Sequence, residues 1–213
     1  MEKEPLFKFE CLNESQVDAM ETIEKNIVTF LLGPAGSGKT FLACAYALKE
    51  AFSPAKKKIV LTRPIVSAGE ELGFLPGDMG EKVEPFMAPL KDSFEKLVGN
   101  VDHSKETISR RTKLVPLAYM RGLTFDKSVC LLDEAQNATF MQLKLFITRF
   151  GNNSKVIITG DPEQSDIRNP ALMDFISRLE GLEGIGIVKF SNDNIVRHPL
   201  IASILERLED IGG

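Results

Sequence analysis

Cysteine is scarce in this chain. Cys11, Cys44 and Cys130 are odd in number, scattered, and contain no C-x-x-C pair. That argues against a disulfide framework and against a zinc site, and it fits a reduced cytoplasmic compartment. Histidine is scarcer still, and neither His103 nor His198 has a credible metal cluster around it. His198, just before Pro199, reads as a packing residue. Long apolar runs are missing, and the opening Met1-Glu2-Lys3-Glu4-Pro5 has no basic stretch leading into an apolar one. Neither secretion nor a membrane location is expected. An excess of positive charge is also lacking, since the formal net charge is −4. Nucleic-acid binding would therefore need a local basic strip. Lys56, Lys57, Lys58 and Arg63 are one candidate group, and Arg110, Arg111, Lys113 and Arg121 another. The plainer alternative for each is a solvated face or loop.

What is present is ordinary globular material. Hydrophobic residues make up 43% and charged residues 26% of 213 residues, enough to bury a substantial core. One large α/β domain over residues 1–213 is expected, because two full domains would be cramped. Short apolar runs at 27–32, 58–61, 129–132, 156–159 and 185–189 alternate with helical patterns at 14–25, 39–52, 141–150, 170–179 and 200–208. Strands that are apolar throughout have both faces covered, which predicts a mainly parallel, doubly wound sheet. Between about 69 and 113, Gly, Pro and charged residues break the periodicity. This stretch reads as a largely helical insertion, with 84–97 its best helix.

The first strand runs into Gly33-Pro34-Ala35-Gly36-Ser37-Gly38-Lys39-Thr40, a G-x-x-x-x-G-K-[ST] loop, and Phe41 continues the apolar helix that follows. In such a loop the glycines let successive N–H groups face phosphate oxygens, and the helix presents its positive end to the same anion. Lys39 would neutralise the β and γ phosphates, and Thr40 would ligate Mg²⁺. By composition alone the pattern arises in about one chain of this length per hundred, and its strand-loop-helix setting sharpens it further. The third apolar strand delivers Asp133-Glu134 at the edge where open α/β sheets collect ligands. Asp133 is suited to hold magnesium through water. Glu134 is suited to orient or deprotonate the water that attacks a γ-phosphate, which favours hydrolysis over transfer to a metabolite.

Two glutamines carry double readings. After the fourth strand, Gln164 in Gly160-Asp161-Pro162-Glu163-Gln164 could touch the γ-phosphate or its attacking water, or could close a capping box begun by Asp161. Near the N-terminus, Gln16 could read the adenine edge, or close a capping box begun by Asn13.

The order Leu12-Asn13-Glu14-Ser15-Gln16, P-loop, Thr62-Arg63-Pro64, Asp133-Glu134-Ala135-Gln136-Asn137 and Gly160-Asp161-x-x-Gln164 resembles the motifs of superfamily 1 helicases. Three further stretches make the chain similar to the PhoH family in particular: the run from Gly69 to Gly77, Glu81-Lys82-Val83-Glu84-Pro85-Phe86, and Val196-Arg197-His198-Pro199-Leu200. The resemblance covers about residues 12–208. It implies a RecA-like P-loop NTPase fold, and ATP hydrolysis linked to RNA or single-stranded DNA, with duplex unwinding within its scope. It further implies that Gln16 contacts adenine, Gln164 senses the γ-phosphate, and Arg63 lies near bound nucleic acid. Superfamily 1 motors complete their site with an arginine from a second lobe, and only one lobe is expected here. By the resemblance Arg197 would supply that cation to a neighbouring subunit, in a ring-like homo-oligomer such as a hexamer. The alternative for Arg197 is a surface arginine ahead of a helix. A protein-remodelling ATPase and a nucleotide-dependent switch remain open as other functions.

Overall fold

The computed structural model describes residues 7, 9–65, 79–98 and 102–191, with the backbone alone for 79–84, 102–105 and 107. Helix α1 (Glu14–Lys25) leads into β1 (Val28–Leu32), then α2 (Lys39–Phe52) and β2 (Lys58–Thr62). Two helices follow, α3 (Met79–Val98) and α4 (Asp102–Arg111), and then the short strand β3 (Thr112–Leu114). The remainder is β4 (Ser128–Leu132), α5 (Phe140–Ile147), β5 (Lys155–Gly160), α6 (Leu172–Ser177) and β6 (Ile185–Lys189). Every pairing is parallel, in the order β3-β2-β4-β5-β1-β6. This is the parallel α/β sheet expected from the all-apolar strands.

The pleat sorts each strand between two cores, because successive side chains face opposite sides. Leu31, Ile59, Leu61, Val129, Leu131 and Ile157 face one cluster with α1, α2 and α3. Phe30, Leu32, Val60, Cys130, Leu132 and Ile158 face the other, with α5 and α6. The helices on the first face are drawn to it by apolar spacing. In α3, Met87, Leu90, Phe94 and Leu97 recur at three- and four-residue steps and are all buried, each contributing about 1.5–3 kcal/mol by leaving water. That burial holds the helix despite Pro85 and Pro89 inside it, each of which removes a backbone donor.

Three elements differ in extent from the sequence reading. Residues 112–114 form an edge strand on β2, although three residues are too short to show a period. The helix expected over 141–150 occupies 140–147, because Thr139 and Gln142 form a full capping box that fixes its start. The helix expected over 170–179 narrows to 172–177. The helix expected over 200–208 lies outside the described residues, as do Arg197 and His198. The first basic group does not form one strip. Lys56, Lys57 and Lys58 precede or open β2 and Arg63 follows it, so the strand holds them about 16 Å apart. Lys57 pairs with Glu50 at 2.6 Å, and Arg111 donates to the Lys56 carbonyl.

Among the described residues no helix is long and apolar enough to cross a membrane. Since all the strands run one way, the residues after β1, β2, β4 and β5 emerge at one edge of the sheet. That edge receives the P-loop, Arg63, Asp133-Glu134 and the 160–164 loop together.

Candidate functional site at the carboxyl edge of the sheet

The P-loop turns on glycines at positive φ. Gly38, at φ +87°, stands at the N-cap of α2 and offers that helix no side-chain cap. The first N–H groups of α2 are thus left facing outward, the arrangement that receives an anion. A Cβ at Gly38 would lie 3.0 Å from Gln16 Nε2, so the loop is backed directly by the first turn of α1. The Lys39 ammonium is held within the loop, donating to the carbonyls of Gly33 at 2.6 Å and Pro34 at 2.7 Å, and to Ser37 Oγ at 3.3 Å.

Gln16 satisfies half of the capping reading. Asn13 Oδ1 accepts from the Gln16 N–H at 3.0 Å, as an N-cap should. The Gln16 side chain, however, accepts from the Leu12 N–H at 2.8 Å rather than from Asn13. It is buried and carries its amide nitrogen to the P-loop.

β5 lies between β1 and β4, which places Thr159 beside Asp133. One oxygen of the buried Asp133 carboxylate, Oδ1, accepts from Thr159 Oγ1 at 2.6 Å and from Thr40 Oγ1 at 2.7 Å. Three chain segments far apart in sequence are thereby joined at one oxygen. The hydroxyl and carboxylate form a hard oxygen donor set that suits Mg²⁺, which is bound by one or two protein groups and keeps several waters. No cluster of three or more His, Cys, Asp and Glu side chains that could cage a metal occurs among the described residues.

Glu134 sits in the left-handed region at φ +55°, a conformation that costs a non-glycine residue about 1–3 kcal/mol and persists when its surroundings fix it. Here they do. Glu134 Oε2 accepts a short hydrogen bond from Gln136 Nε2, and Glu134 Oε1 pairs with the Arg63 guanidinium at 3.2 Å. Gln136 is buried and its Oε1 accepts from the Asp161 N–H at 3.0 Å, so one amide links the Glu134 carboxylate to the loop after β5. Asn137 and Asp166 exchange two bonds nearby, and Ser165 donates to the Gln136 carbonyl.

In the loop after β5, Gln164 N donates to the Asp161 carbonyl, and Asp161 Oδ1 accepts from Glu163 N. This is a turn and not a helix start, since α6 begins only at Leu172. The capping-box alternative for Gln164 therefore does not form.

A cavity of about 480 Å³ brings together Gly38, Lys39, Thr40, Asp133, Glu134 and Gln164, within the range of small-molecule sites. Ala35, Gly36 and Phe41 also line it. Gln16 is not part of that lining; it stands behind Gly38. Two contributors went unseen in the sequence: Ser93 and Lys96 of α3 line the same cavity. The apolar period of α3 marks its buried side but not which residues of the other side overlook the P-loop. Gln136 was visible within the Asp133–Asn137 motif, yet nothing in its spacing disclosed that its amide would bridge two loops.

A profile of the PhoH-like protein family matches residues 8–209. The chain is 44% identical over 195 residues to a PhoH-like protein of Bacillus subtilis (strain 168), covering 90% of this chain and 61% of that protein. It is 38% identical over 193 residues to Protein PhoH of Escherichia coli (strain K12), covering 88% of this chain and 54% of that one. It thus spans little more than half the length of the curated relatives it matches. Among solved structures, the large terminase of a thermophilic bacteriophage superposes with a TM-score of 0.59 at 10% identity, covering 93% of this chain and 50% of that one. The shared architecture is a parallel α/β sheet flanked by helices.

Proposed function

Because this chain belongs to the PhoH-like protein family, we propose that it is an ATPase that binds ATP with Mg²⁺ at the carboxyl edge of its sheet and responds to RNA or single-stranded DNA. The observation that carries this reading is the placement of Glu134 and Asp133 in one cavity with Lys39 and Thr40. A phosphate chain suits the loop because Gly38 leaves the α2 amides uncapped and the adjoining Lys39 supplies a cation. Magnesium suits Thr40 and Asp133, which already meet at 2.7 Å. When bound, that ion would neutralise charge on the β and γ phosphates.

The chain's own residues do the remaining work. The α2 amides and Lys39 hold the phosphates and stabilise charge as the terminal group departs. Glu134 orients a water and accepts its proton. Gln164 monitors the γ-phosphate, and the Gln136 amide couples that loop to Glu134. Gln16, buried against Gly38, contacts the adenine edge as the resemblance implies.

Phosphate release at saturating Mg²⁺ and ATP tests this, with and without oligouridylate or oligothymidylate. Lys39→Ala should abolish turnover, and Glu134→Gln should bind ATP in calorimetry yet release no phosphate. Normal turnover by Glu134→Gln would move the base elsewhere. Turnover indifferent to both oligonucleotides would favour a protein remodeller, and binding without steady turnover a switch. Stimulation should decline with salt as phosphate contacts are screened. The proposed homo-oligomeric ring with Arg197 acting across subunits rests on the resemblance. Mixing Arg197→Ala with Lys39→Ala subunits should recover activity if the site is shared, and a fully active monomer refutes it.

A further inference from the structure

Glu134 is the group that must meet water, yet both of its carboxylate oxygens are engaged. Gln136 takes Oε2 and Arg63 takes Oε1. The two partners are not equivalent. Gln136 is buried and its other end is fixed to Asp161. Arg63 is about a quarter exposed, and among the described residues its other hydrogen bond is a long 3.5 Å contact to the Phe86 carbonyl of α3. Gln136 is thus an anchor and Arg63 an exchangeable restraint.

We infer that the Arg63–Glu134 pair is an electrostatic latch on the ATPase site, opened when a nucleic-acid backbone phosphate takes the guanidinium. This rests on the ATPase reading above and adds how the site is regulated. A partly exposed ion pair is worth only about 1 kcal/mol or less. A phosphodiester offers the same guanidinium two oxygens in a fork geometry that arginine matches well, so it can displace the carboxylate. Glu134 Oε1 then becomes free to accept from water, while Gln136 keeps Oε2 and holds the side chain in the cavity. Occupancy at the end of β2 is in this way converted into competence at the end of β4. No covalent step is involved, only the exchange of one ion-pair partner.

The test compares wild type, Arg63→Ala and Arg63→Gln at saturating Mg²⁺ and ATP. Each is measured without oligonucleotide, with oligouridylate and with oligothymidylate. Without oligonucleotide, both variants should turn over about two- to fivefold faster than wild type, the scale of losing one such pair. Neither should be stimulated further. Stimulation of wild type by one oligonucleotide alone supports the latch and identifies whether the backbone is that of RNA or DNA. Basal turnover at or below wild type overturns the latch and makes Arg63 a positioning residue for Glu134, and stimulation retained in the variants overturns it as well. Thermal melts of both variants verify folding, and the glutamine preserves bulk and hydrogen bonding should alanine disturb the loop. Wild type without any phosphate release would sink the ATPase reading and the latch together. Phosphate release by wild type with no gain in the variants sinks only the latch.

Discussion

Replacing Thr159 by valine probes the junction at Asp133 with almost no change of shape. The Thr159 hydroxyl donates to Asp133 Oδ1 at 2.6 Å, and both residues are buried, at 1% and 3% exposure. A hydrogen bond to a charged acceptor contributes about 1.5–3 kcal/mol and one to a neutral acceptor about 0.5–1.5 kcal/mol. Thr159→Val should therefore lower stability by about 2 kcal/mol in wild type, but by about 1 kcal/mol when Asp133 is already asparagine. The coupling energy is about 1 kcal/mol. In a chain of 213 residues, about 2 kcal/mol corresponds to a fall of roughly 4–8 °C in Tm. Urea unfolding of wild type, Thr159→Val, Asp133→Asn and the double variant measures all four corners, without nucleotide so that ligand binding does not intrude. If the valine costs the same in both backgrounds, or under about 0.5 kcal/mol in wild type, Asp133 is not held by that hydroxyl and the assembly of the Asp133 junction described above is wrong.

Three other outcomes are expected. Lys96→Ala should raise the KM for ATP about three- to tenfold, since Lys96 lines the P-loop cavity and an exposed cation there is worth about 1 kcal/mol; an unchanged KM would remove α3 from the site. Gly33→Ala should destabilise by about 2–3 kcal/mol or more in urea titrations, because φ is +141° and the new Cβ would stand 2.5 Å from the Phe190 carbonyl oxygen; a wild-type midpoint would refute this. Burial pushes the Cys130 thiol from 9.0 up to about 12, so the unfolded chain loses this proton first and stability falls as pH rises from about 9 towards 12. At about 1.4 kcal/mol per unit the ceiling is ~4 kcal/mol. Cys44, raised by burial and by Asp133, acts in the same direction, whereas Lys155, lowered chiefly by burial, acts oppositely. Comparing Cys130→Ala with wild type between pH 8 and 10.5 isolates the thiol, and parallel urea midpoints would exclude it.

Much of the site was legible because its pieces are local. The P-loop, Asp133-Glu134 and the Gly160–Gln164 run each follow an apolar strand, and parallel strands with helical crossovers put such endings on one edge. Ambiguity remained where a side chain had two local partners of equal merit. Gln16 and Gln164 both fitted capping boxes by spacing, and the structure separated them: Gln16 turned to Leu12, while the segment at Gln164 never began a helix. Arg63 had no local partner to suggest Glu134, which lies 71 positions later.

Order along the chain therefore determined the α/β class, the glycine-rich loop between β1 and α2, and the two acidic residues that follow β4, since each is written in a period or in contiguous residues. Which strand lies between which was decided only by tertiary packing. It is the placement of β5 between β1 and β4 that brings the Thr159 hydroxyl to Asp133. The docking of α3 on the α2 face adds Lys96 to the cavity. The pairing of β2 with β4 sets Arg63 against Glu134. Contacts of this kind depend on directions in space, and a hydrogen bond or ion pair between residues tens of positions apart leaves no mark on the spacing of either.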